Sequence, residues 1–349
     1  MTEKSSENSW WKTLGLLRLL LCKNKMAVSV LFLVSGLVFG AALVENTQPE
    51  NAGTVVRLHR IDPGSPGGLR ELFRYTGEPL PFVAAHRGGP GPGFPENCIA
   101  TFENTLQHTF AILEIDPRYT RDGAIIIHHD ETLERTTTGN GMVNARTLEE
   151  LQALRLKDVT GAVTEFRIPT LDDVLEWARG KTVLVLDQKD VPVEVRVRKI
   201  EEHRAEAYAM LIVYSFEDVR KCYELNPNIM MEVMIPDQEA FHRFDKTGIP
   251  WGNILAFVGH TPPADRELLR MIHAKGSSCM VGTSRNLDRE YLAGREGKPG
   301  LTSRYQALLE FGADLIETDV PIEVSSLLQT GTSIPVSKSK FLRRDTADQ

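Results

Sequence analysis

Three stretches of the chain place acid–base, cation-binding and anion-binding groups at the ends of apolar runs. In VAAHRGGPGPGFPEN, residues 83–97, His86 and Arg87 close such a run and are followed by four glycines and two prolines before Phe94. A glycine-rich loop lets backbone amides approach an anion, and a guanidinium can grip a phosphate through two parallel hydrogen bonds. The same composition is also ordinary turn punctuation, so this stretch alone decides nothing. In LEIDPRYTRDG, Glu114 and Asp116 stand two residues apart, which on a strand puts both carboxylates on one face. Like charges held so close repel unless a cation separates them, and oxygen-only ligands suit Mg²⁺ or Ca²⁺ rather than zinc.

The next run, AIIIHHDETLERTT, ends on His128 and His129, whose side chains point to opposite faces of a strand. Only one of them can face a site. Histidine carries protons near neutral pH, so His86 and one member of this pair can divide the base and acid roles. TVLVLDQKD repeats the spacing with Asp187 and Lys189. Asp187 can complete the cation's ligands, and Lys189 can offset phosphate charge in a transition state. The plainer reading of these two is a surface ion pair, which is worth little.

These residues need a scaffold that gathers strand ends. Apolar runs recur as PFVAAH, ILEID, AIIIHH, TVLVLD, MLIVYS, IMMEVMI, NILAFVG, SSCMVG and DLIETD. Helical spacing fills Ile99 to Phe110, Leu171 to Ala178, Phe216 to Leu225 and Ala264 to Lys275. Apolar strands alternating with helices predict a parallel sheet covered on both faces, and about eight units over about 250 residues predict a closed (β/α)8 TIM-type barrel over residues 81–330. An open doubly wound sheet is the competitor. His86, Asp116, His129, Asp187, Ser215 and Asp319 all fall at the carboxyl ends of these runs, where barrel enzymes build their sites, and this favours the barrel.

The 349 residues carry a net charge of −7, so no basic field suits nucleic acid and no nucleic-acid partner is expected. Met26 to Val44 is uncharged and long enough to cross a bilayer. Lys12, Arg18, Lys23 and Lys25 precede it, and Glu45 and Glu50 follow, which predicts a transmembrane helix with residues 1–25 cytoplasmic and the barrel on the far side. Trp10 and Trp11 suit the membrane interface. A signal peptide cleaved near Gly40, Ala41 and Ala42, yielding a secreted or periplasmic protein, is the alternative; the long basic and apolar regions favour an anchor. Residues 45–80 read as a linker and lead-in segment, and 331–349 as a polar tail. Cys22, Cys98, Cys222 and Cys279 show no paired spacing and suggest neither a zinc site nor a disulfide framework.

HRG with PEN, then LEID, TRDG, HHDETLERTT, IPTLDDVL and GADLIETD together resemble the glycerophosphodiester phosphodiesterase family over about residues 81–320. The resemblance implies a β/α barrel, a divalent cation, and cleavage of glycerophosphodiesters to glycerol 3-phosphate and an alcohol. By motif it makes His86 and His129 the acid–base pair, Arg87 the phosphate clamp, and Glu114, Asp116 and Asp187 the metal ligands. Lys189 joins the catalytic group, Glu96 orients a catalytic group, and Asn97 binds a phosphate or hydroxyl. Three positions depart from the family pattern. Asp187 stands where Glu is usual, Pro117 replaces an apolar residue, and CMVGTSRN replaces a segment with Trp and Thr-Val-Asn. Rival readings are lysophospholipase D or phosphatidylinositol phospholipase C-like action on membrane lipids, and a tethered phosphodiester binder without catalysis. Two proton carriers beside a carboxylate pair argue against the binder.

Overall fold

The computed structural model describes residues 57–80, 82–294, 298–329 and 335–345. The predicted transmembrane segment lies outside them, and no helix among the described residues is long and apolar enough to cross a membrane.

Among the described residues twelve strands are formed: β1 (His59–Ile61), β2 (Val83–Ala85), β3 (Ala111–Ile115), β4 (Pro117–Tyr119), β5 (Ile125–Ile127), β6 (Leu184–Leu186), β7 (Ala209–Val213), β8 (Met231–Met234), β9 (Ile254–Gly259), β10 (Cys279–Gly282), β11 (Leu315–Thr318) and β12 (Leu342–Arg344). Eight of them, β2, β3 and β6 to β11, close into a parallel barrel in chain order. Alternation sorts their side chains into two layers. Val83, Leu113, Leu184, Leu211, Val233 and Ile316 face outward into the helical shell. Ala84, Ile112, Val185, Met210, Leu255, Met280 and Leu315 fill the interior.

The run AIIIHH is not a barrel strand. It forms β5, which pairs antiparallel with β4 in a hairpin leaving the end of β3. Residues 116–124 are too few for a parallel crossover, which takes a dozen or more, so the chain turns back on itself. The His128 amide donates to the Asp116 carbonyl at 2.8 Å, fastening the hairpin to the barrel rim.

The segments read as lead-in and polar tail also differ from expectation, because they meet. β1 pairs antiparallel with β12. Ile61, Leu69, Leu72, Phe341 and Leu342 then join the interior cluster, alternation having hidden an apolar face in short polar-looking stretches.

Helix starts follow their caps. Thr170 and Asp173 form a reciprocal capping box before Leu171–Ala178, and the Ser215 hydroxyl accepts from the Asp218 amide before Phe216–Leu225. Ser215 is therefore a helix cap and not a group of the barrel mouth.

Candidate active site

A cavity of about 730 Å³ opens at the carboxyl end of the barrel, lined by His86, Arg87, Glu96, Glu114, His129, Asp187, Lys189, Glu232, Glu317 and Asp319 among others. Backbone conformation presents the first of these. Arg87 (φ 52°), Gly88 (φ 85°) and Gly89 (φ 81°) are successive left-handed residues directly after β2. A Cβ on Gly88 would lie 2.3 Å from the buried Phe102 ring, so glycine is required there for close approach as well as for conformation. Among described non-glycine residues only Arg87, Asn97, Lys189 and Arg204 have positive φ, and the first three belong to this site. Such backbone persists where the surroundings over-determine it, which is the habit of functional sites.

Each candidate histidine has an aspartate holding one ring nitrogen. His86 Nδ1 lies 2.6 Å from Asp319 Oδ1, and His129 Nδ1 lies 2.7 Å from Asp130 Oδ1. In both rings this leaves Nε2 for other work. The two imidazoles are tuned in opposite directions. Burial alone would push His86 down, but the Asp319 hydrogen bond and the Glu317 and Asp319 charges raise it above its ordinary value. At His129 burial prevails over Asp116 and Asp130, and the ring titrates below its ordinary value. His128 is buried and turned away, with Nδ1 2.9 Å from the Asp130 carbonyl and Nε2 3.0 Å from Thr136 Oγ1.

An ion-pair chain links the second dyad to Arg87. Arg135 binds Asp130 at 2.6 Å and Glu96 at 2.7 Å, and Glu96 in turn accepts from Arg87 Nη1 at 3.2 Å. Among the described residues Arg87 Nε is buried without a hydrogen-bond partner and lies 4.0 Å from Asp116 Oδ2.

Carboxylate oxygens of Glu114, Asp116 and Asp187 all lie within 4.8 Å of one another. Glu114 Oε2 accepts from the Arg87 amide at 2.8 Å, tying the acidic group to the left-handed loop. Burial, followed by repulsion from Asp116, Asp187 and Glu317, drives Glu114 well above the usual carboxylate range. Asp116 goes the other way: burial is overcome by Lys189, His129 and Asn97. Lys189 Nζ pairs with Asp187 and, at 2.9 Å, with Asp116 Oδ1, and Arg87 Nε lies 4.0 Å from Asp116 Oδ2. Three buried carboxylates faced by one ammonium and one guanidinium that is shared with Glu96 leave an excess of negative charge. This donor set fits a divalent cation.

Asn97 does not reach the cavity wall. Its Nδ2 donates to Asp116 Oδ2 at 2.6 Å and its Oδ1 accepts from the Asp116 amide at 3.1 Å, so both amide ends are spent on orienting Asp116. Tyr214, Asp130, Arg135, Glu232 and Glu317 were given no part by sequence reasoning, and Asp319 was marked only by its strand-end position. Asp130 directly follows the histidine pair and was the most accessible signal. Tyr214 Oη donates to Asp187 Oδ1 at 2.7 Å.

The profile of the glycerophosphoryl diester phosphodiesterase family matches residues 86–303, which hold His86, Arg87, Glu114, Asp116, His129, Asp187 and Lys189 but not Glu317 or Asp319. The chain belongs to the glycerophosphoryl diester phosphodiesterase family. Among family relatives, it is 33% identical over 159 residues to the putative glycerophosphodiester phosphodiesterase YhdW of Bacillus subtilis, covering 44% of this chain and 65% of that protein. It is 42% identical over 115 residues to a probable glycerophosphodiester phosphodiesterase 1 of Mycobacterium tuberculosis, covering 30% of this chain and 42% of that one. The chain thus spans just under two thirds of the first of these relatives. A crystal structure of a glycerophosphoryl diester phosphodiesterase from Parabacteroides distasonis is 40% identical with a TM-score of 0.77, covering 82% of this chain and 99% of the other.

Proposed function

We propose that this chain hydrolyses glycerophosphodiesters to glycerol 3-phosphate and an alcohol. The observation that carries the reading is the pair of oppositely tuned His–Asp dyads on one cavity that also holds the acidic trio. His129, whose ring titrates below its ordinary value, is the base: Nε2 takes the proton of the attacking hydroxyl, whether water or a hydroxyl of the glycerol. His86, raised above its ordinary value, is the acid: Nε2 gives its proton to the alcohol oxygen as the phosphorus–oxygen bond breaks. Asp130 and Asp319 fix each ring's tautomer. Arg87 and Lys189, both lining the cavity, offset the growing charge of the phosphoryl oxygens. A divalent cation, Mg²⁺ or Ca²⁺, held by Glu114, Asp116 and Asp187, supplies Lewis-acid polarisation of the phosphate. The test is hydrolysis of a panel of glycerophosphodiesters and lysophospholipids with and without chelator. Release of glycerol 3-phosphate that chelator stops and added cation restores is expected; full activity in chelator sinks the cation's role.

A second reading has one supporting observation. Val159, Tyr214 and Leu292 line the cavity yet are exposed, an apolar rim suited to the acyl chain of a lysophospholipid. Preferred cleavage of lysophospholipids in the same panel would replace the first reading with this one.

We also propose that Met26 to Val44 anchors the protein with its barrel on the non-cytoplasmic side, on the strength of its uncharged length and flanking charges. The protein should stay in membranes through an alkaline carbonate wash. Recovery of a soluble form starting near Leu43 would show a cleaved signal peptide instead.

A further inference from the structure

We propose that Glu232 and Glu317 form a cation-binding subsite that receives an ammonium group on the alcohol portion of the phosphodiester. The proposal rests on the hydrolase reading and adds to it the class of alcohol. Glu232 on β8 and Glu317 on β11 follow Met230 and Leu315 by two residues, so alternation turns both into the barrel. They are only 4% and 5% exposed, and both line the cavity. Among the described residues neither side chain makes a hydrogen bond or an ion pair, which is rare for carboxylates so deeply buried.

The cations of the site are paired elsewhere, Lys189 with Asp116 and Asp187, Arg87 with Glu96, and His86 with Asp319. Burial, then repulsion from Glu317 and Asp187, raises Glu232 well above the usual carboxylate range; burial, opposed by His86 and reinforced by Asp319, Asp187 and Asp288, raises Glu317 as well. Among the described residues neither glutamate has a cation in ion-pair contact; His86, whose charge acts on Glu317, is itself paired with Asp319. A second metal ion is not indicated, because among described residues only Glu114/Asp116/Asp187 and a separate His273/Cys279/Asp314 group bring three ligand atoms together. A hydroxyl would fill one acceptor and leave both charges uncompensated. An ammonium supplies charge and several donors at once.

The neighbouring walls suit that guest. Register sets Glu317 between Gly282 and Ala84, and the space a side chain at 282 would take is filled by the rings of His260 and Phe257, both of which line the cavity. Glu232 is flanked by Ile212, and Met234, Phe257 and Tyr214 complete an apolar and aromatic surface of the kind that attracts cations.

The test compares kcat/KM of wild type, Glu232→Gln and Glu317→Gln on glycerophosphoethanolamine and on glycerophosphoglycerol, with calorimetric binding of both diesters alongside. In Glu232→Gln the ratio of the ethanolamine to the glycerol ester should fall about 10-fold or more, in binding as in turnover. Equal losses on both esters, or an unchanged ratio, would overturn the subsite. Hydrolysis of neither ester by wild type defeats the hydrolase reading, and calorimetry then judges the subsite by the same ratio. Both substitutions are isosteric and remove buried charge; should Glu317→Gln fail to fold by circular dichroism, Glu232→Gln carries the comparison.

Discussion

Replacing either His86 or His129 by alanine is expected to lower turnover by about 10²- to 10⁴-fold, the usual contribution of a general acid or base. Neither ring can cover for the other, since each is held by its own aspartate on a different element: His86 after β2 by Asp319, His129 after the β4–β5 hairpin by Asp130. The pair is also separable by leaving group. A nitrophenyl ester departs without protonation, so it should restore much of the rate to His86→Ala and little to His129→Ala. Rescue in the reverse order would exchange the two roles. His128→Ala should leave turnover within a few-fold of wild type while lowering thermal stability, because it removes a packed ring bonded to Thr136. A dead His128→Ala beside a normal His129→Ala would refute the pair.

That hairpin marks the limit of what could be read from the residues alone. Eight of the nine apolar runs close the barrel, because a parallel strand buried on both faces leaves a continuous apolar signature. AIIIHH carries the same signature for another reason: β5 is sandwiched between the barrel rim and a satellite core of Leu133, Val143, Leu151 and Ile168. Composition cannot separate the two cases, whereas the short spacing from ILEID could have, since it forbids a parallel crossover. The catalytic candidates were legible because their chemistry requires particular residue types at strand ends. Their supports were less so. Asn97 sits in the chain as an exposed-looking loop amide, and only folding reveals that both its amide ends are consumed by Asp116. Glu232 and Glu317 read as polar breaks in apolar runs, and nothing local says that their carboxylates meet no partner. β1 and β12 come from distant parts of the sequence, and strands this short have too little pattern to announce their pairing.

Glu114→Gln should cost more than about 100-fold in cation affinity measured by calorimetry, and turnover should fall with it. Removing a residue that only orients a metal ligand already costs about 10- to 100-fold, and this substitution removes a charged ligand itself. The choice of glutamine matters. Its carbonyl still accepts from the Arg87 amide, the 2.8 Å bond that fastens the left-handed loop, so the loop and the barrel should keep their structure by circular dichroism. A deficit in this variant therefore reports the ligand and not the loop. Asn97→Ala supplies the graded comparison: Asn97 acts on the cation only by orienting Asp116, so affinity should fall by the smaller factor of about 10- to 100-fold. If Glu114→Gln bound the cation as tightly as wild type while Asn97→Ala did not, the cation would lie on Asp116 without Glu114, and the acidic trio would be wrongly drawn. If neither moved, the three carboxylates would be held together by Lys189 alone, and the proposed hydrolysis would have to proceed on the two histidines and Arg87.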